Sequence, residues 1–197
     1  RPLATVYVLM SINQVATPTP AVIDAFKLAL ADPTPGGRLM GATGLLSLRN
    51  QLSDEQWKTL LPELQNVTTT EPNGVVLDRL YRLLTTVQGP RVEAAAISDV
   101  LKVLETRLTQ FDQKKGWPAQ ADGEAAKWLG EKLAASQNAQ QQNLATSVLA
   151  RLLTDATYAY LVKPNDEWVE SLEKTIIATE SQLKKLVAAR AAGTKLP

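Results

Sequence analysis

Residues 21–48, AVIDAFKLALADPTPGGRLMGATGLLSL, hold two amphipathic helical stretches on either side of a short turn built from Asp32, Pro33, Pro35, Gly36 and Gly37. In the first stretch Val22, Ile23, Phe26, Ala29 and Leu30 fall at helical spacing, with Thr19 as N-cap and Pro20 at the first helical position. The second stretch carries Leu39, Leu45, Leu46 and Leu48, and Gly41 and Gly44 three apart offer a place where another helix can approach closely. A hairpin of this size has an apolar side on each helix and cannot bury both alone. Repetition of the pattern therefore implies neighbouring hairpins that complete one another's core.

The pattern does return. Ser53 and Gln56 form a capping-box pair ahead of Trp57, Leu60, Leu61 and Leu64, with Pro62 expected to bend that helix or end its regular part. Residues 66–73, NVTTTEPN, read as a turn before a helix whose broad face is Val76, Leu77, Leu80, Tyr81, Leu84 and Val87. After Gly89-Pro90 a single stripe of Ile97, Leu101, Leu104, Leu108 and Phe111 predicts a long helix. Residues 112–121 form the longest loop, and Asp122 is the natural N-cap of the helix bearing Trp128, Leu129 and Leu133. The polar stretch 137–143 opens a helix running through Tyr160, read as a solvated first turn. From Asp166 to about Arg190, Val169, Leu172, Ile176, Thr179, Leu183 and Leu186 hold heptad spacing. At the front, Leu3–Val15 reads as a helix orphaned from a preceding unit, and the tail 191–197 is expected to fray.

No segment alternates apolar and polar residues with a period of two, so the chain is expected to be all-α. Consecutive helices pair as hairpins at 20–50, 53–87, 90–135 and 137–190. Stacked antiparallel hairpins over residues 1–190, with a sub-boundary available in the 112–121 loop, form the expected architecture. A compact helical bundle is the alternative. Leu9-Met10-Ser11, Leu45-Leu46-Ser47 and Leu83-Leu84-Thr85 recur at intervals of 36 and 38, which favours repetition.

Residues 21–48 resemble a HEAT-type repeat in several features: a helix ending at Asp32-Pro33, a second proline at Pro35, Arg38 early in the next helix, and the small residues Gly41, Ala42 and Gly44 within it. In that family the Asp and Arg positions tie neighbouring turns together, so the resemblance implies structural roles for Asp32 and Arg38. It also implies an α-solenoid that binds other macromolecules. The hairpin at 53–87 lacks both the Asp-Pro turn and the early Arg.

Composition narrows function mostly by exclusion. With no Cys and no His, disulfides, thiolate and imidazole catalysis and the usual zinc sites are closed to the chain. Net charge is +1, and successive quarters of the sequence carry +2, −3, +1 and +1, so the basic stripe that neutralises nucleic-acid phosphates is missing. The most apolar run, Leu3–Ile12, is too short to span a bilayer. Opening at Arg1 suggests an excised piece or a processed mature form, and the localisation reading leans extracytoplasmic and bacterial.

Few residues invite a functional role. Trp117, flanked by Lys114-Lys115-Gly116 and Pro118, is the candidate anchor for a protein partner, the alternative being a Trp that closes the core beneath its loop. Trp57, Trp128 and Trp168 lie on apolar stripes and are expected in the core. The acidic run Asp166, Glu167, Glu170 and Glu173 lacks the spacing and glycine turn of a calcium loop and suits a helix N-terminus. Asn66-Val67-Thr68 matches a glycosylation sequon and is read as part of a turn. No catalytic residue, cofactor or metal ligand is assigned. The expectation is a non-enzymatic helical interaction module, with a structural or regulatory domain of a secreted or cell-envelope protein, or an enzyme using Ser, Lys and carboxylates, as alternatives.

Overall fold

The computed structural model describes residues 17–86, 90–113, 116, 118–134, 136, 138–162 and 166–193. The predicted helix at Leu3–Val15 lies outside them. Among the described residues there are eight helices and no strand: α1 Pro20–Leu30, α2 Pro35–Leu48, α3 Asp54–Thr70, α4 Gly74–Thr85, α5 Pro90–Asp112, α6 Gln120–Ala134, α7 Ala139–Val162 and α8 Asp166–Gly193. The all-α expectation holds. Contacts divide the chain into two compact units, Arg1–Asp99 and Val100–Pro197, the division falling within α5.

In the first unit α1 packs on α2, α3 on α4, and α2 on α4. The approach of α1 to α2 is made by glycines. A Cβ on Gly41 would stand 2.8 Å from Leu30 N and Phe26 O, and one on Gly44 would collide with the Phe26 ring. Phe26, Leu30, Leu45, Leu60, Leu64, Leu80 and Leu84 fill the space between these helices as fully buried side chains. Lys27 reaches Glu63 at 3.2 Å, and the Gln56 amide donates to Pro18 O at 3.0 Å, so α3 is fixed against α1 and the segment before it.

Two boundaries depart from the sequence reading. Helix α2 begins at Pro35 with Thr34 as N-cap, so Gly36 and Gly37 belong to its first turn. A Cβ at Gly37 would strike the Asp32 side chain, which folds over this turn to accept from Thr34 N and Thr34 Oγ1. These two bonds hold the Asp32 carboxyl below its ordinary range. Helix α3 passes through Pro62 and continues to Thr70, so the sequon and its threonines are helical rather than a turn. The Thr69 and Thr70 hydroxyls donate to the carbonyls of Gln65 and Asn66, four residues back, and the fully buried Thr68 does the same to Leu64. These bonds satisfy the hydroxyls within the helix itself, which lets the buried Thr68 sit there without an unpaired polar group.

In the second unit α8 packs against both α6 and α7, and α6 touches α7. The buried stripe of α8 is Leu172, Thr175, Thr179, Gln182 and Leu186. The heptad residues Leu172, Thr179 and Leu186 lie where spacing places them. Thr175 and Gln182 flank that line and face glycines on α6, a role hydropathy does not reveal. Helix α6 starts at Gln120, not after Asp122, and Asp122 sits in its first turn, accepting from Ala119 N at 2.8 Å. The stretch 137–143 is more than a solvated turn. The Gln142 amide donates at 2.8 Å to both Leu133 O and Ser136 O, closing the end of α6.

Candidate functional site

Two buried ion pairs stand out among the charged side chains. Arg38 Nε and Nη2 grip Glu71 at 2.6 and 2.9 Å, while Nη1 donates to Asp32 O and Pro33 O at 3.1 Å each. Glu71 caps the end of α3 and also accepts from Asn73 N at 2.8 Å, so one guanidinium links the turn of the first hairpin to the turn of the second. Arg107 grips Asp122 at 2.8 and 3.2 Å and lies over the Phe111 ring at 5.5 Å. Both pairs are bidentate, interior and structural in placement.

A third group lies nearer the surface. Arg151 holds Asp112 at 2.6 Å, and Asp155 presents a buried Oδ2 without a hydrogen-bond partner. Burial, then the Asp112 charge, raises the Asp155 carboxyl above its ordinary range, with Arg151 opposing. Among the described residues no group of three or more His, Cys, Asp or Glu side chains could hold a metal ion, and no helix is long and apolar enough to cross a membrane.

Large apolar side chains are exposed at several places, Leu28, Val75, Leu144, Ile177 and Val187 among them, and four more lie close together in sequence. Tyr158, Leu161 and Val162, on the last turns of α7, are 58%, 72% and 51% exposed, and Trp168 near the start of α8 is 42% exposed. Register places them at one end of the α7–α8 hairpin. Ala156, Ala159 and Leu172 form a buried cluster with Tyr160 and Ile176 against it, and Tyr160 OH donates to Glu173 at 3.0 Å. That hydrogen bond raises the Tyr160 phenol. Trp168 is thus exposed and not part of that cluster. Trp168 is therefore a correction to the core assignment, whereas Trp57 is buried and Trp128 half-buried.

Comparisons with family models, with curated proteins and with solved structures return no match.

The sequence-predicted anchor, Trp117 with Lys114 and Lys115, lies outside the described residues, although the adjoining Pro118 is buried. Tyr158, Leu161 and Val162 lie off the apolar stripe that the spacing of Leu144, Val148, Leu149, Leu152, Leu153, Ala156 and Tyr160 defines, a stripe whose first residue, Leu144, is itself 42% exposed. The available signal was TYAYLV at 157–162, which is apolar around the whole helix circumference. With one side buried against α8, the remainder faces outward.

Proposed function

We propose that this chain is a non-enzymatic helical module that docks onto another protein, and that the free end of the α7–α8 hairpin makes the contact. The observation that carries this is the grouping of Tyr158, Leu161, Val162 and Trp168 as exposed side chains at one end of the hairpin, next to the buried Ala156, Ala159 and Leu172 that hold that end together. Aromatic and large aliphatic side chains held on rigid helices anchor protein interfaces at low entropic cost. In the first unit, the packing of α2 on α4 and the Arg38–Glu71 link between hairpins support a HEAT-like stack as the scaffold.

Affinity capture from the source organism, with the wild-type chain beside Leu161→Asp and Trp168→Ala variants, tests the proposal. A protein retained by the wild type and lost by both variants, with helical circular dichroism and melting unchanged, is the expected result. Capture of the same proteins by all three, or of none, overturns it.

A further inference from the structure

Helices α6 and α8 meet along a seam whose two halves are held differently. A Cβ added to Gly123 would lie 2.8 Å from Thr175 Cα, and one added to Gly130 would lie 2.6 Å from Gln182 Oε1. Both positions advance by seven residues in the same sense, so the helices run parallel with their surfaces in direct contact. Near the helix starts the seam is hydrogen-bonded: Gln120 N donates to Ser171 Oγ at 2.9 Å, and the Thr175 hydroxyl is shared between Ser171 O at 2.8 Å in its own helix and Ala119 O at 3.1 Å across the seam. One and two turns further on the seam changes character. Thr179 Oγ1 and Gln182 Oε1 are buried there without hydrogen-bond partners, and Gln182 Oε1 points into the surface left bare by Gly130. Leu186 is the one fully buried apolar side chain of α8 beyond this point among the described residues.

We propose that the part of α8 from Thr179 onward is a releasable arm, which lifts off α6 while Ser171 and Thr175 keep the first half of the helix seated. Burying a hydroxyl and an amide oxygen without partners opposes closure, and water satisfies both groups as soon as the arm opens. Gly130 itself adds no apolar side chain to offset that cost, so closure rests on Leu186 and on the packing of α8 against α7. Opening uncovers the α6 surface around Gly130 and leaves the Tyr158 to Trp168 end of the hairpin in place. It is therefore a conformational device separate from the proposed docking end.

Native-state hydrogen exchange resolved along α8 tests the arm in the intact chain. Amides of 180–190 are expected to exchange at least ~10-fold faster than those of 172–178, in a sub-global opening that precedes unfolding of α6 and α7. Thr179→Val and Gln182→Met, which replace the unpartnered groups by apolar ones of similar size, are each expected to slow exchange of 180–190 by about 10-fold and to leave 172–178 unchanged. Leu186→Ala is expected to accelerate 180–190 alone. Uniform protection along α8, or exchange insensitive to both Thr179→Val and Gln182→Met, overturns the proposal.

Discussion

Arg38 makes four hydrogen bonds that reach the carbonyls of its own turn and the carboxylate of Glu71, whose side chain is 1% exposed. Removing one member of such a pair strands the other away from water, which weighs more than the attraction lost. Arg38→Ala is expected to destabilise by about 3 kcal/mol in urea titration, while Arg38→Met combined with Glu71→Leu recovers most of that loss. Gly44 works by absence. The Phe26 ring occupies the space of its missing Cβ, so Gly44→Ala is expected to lower stability by about 1–3 kcal/mol despite alanine's better helix propensity. Spacing announces the closeness of Gly41 and Gly44 to another helix. That Phe26 is the group in contact depends on how α1 rolls against α2, which no local pattern encodes.

At the level of elements, stripes and caps were readable while several ends were not. Thr19, Ser53 and the Pro20 start are local devices: each cap bonds a backbone group three residues on, so its partner lies within the same few letters. The end of α3 is different. Its threonines carry turn-like letters, and whether they bond inward to carbonyls or outward to water depends on the surface that buries Thr68. The same holds for Gln142, a polar residue in a polar run until the end of α6 is brought beside it. Gln142→Ala is expected to cost about 1 kcal/mol and to speed amide exchange in the linker after α6 and the first turn of α7, with α3 and α4 unaffected.

For the whole molecule, pH reports on Asp155. Its carboxyl is raised in the folded chain by burial and by Asp112, so the folded state binds this proton more readily than the unfolded one. The charged form is therefore a burden above the raised folded value. Relief appears as pH falls through that value and is complete below the ordinary carboxylate value of about 3.9. Asp155→Asn is expected to stabilise the chain at pH 7 by up to about 1 kcal/mol after allowance for solvent screening, an advantage that shrinks in thermal melts toward pH 4. An unchanged pH profile in the variant would refute the assignment.

Helical periodicity, capping residues and the absence of Cys and His were sufficient, read as letters, for an all-α chain without thiol or imidazole chemistry, because these properties depend on residue type and short spacing. The tertiary structure decided what those helices do to one another: Arg38 meeting Glu71, Arg107 meeting Asp122, Gly130 receiving Gln182, and Trp168 left exposed near the start of α8. The three pairings join groups 15 to 52 residues apart. Polar and glycine positions look alike in sequence whether they face water or another helix, and only packing breaks that degeneracy.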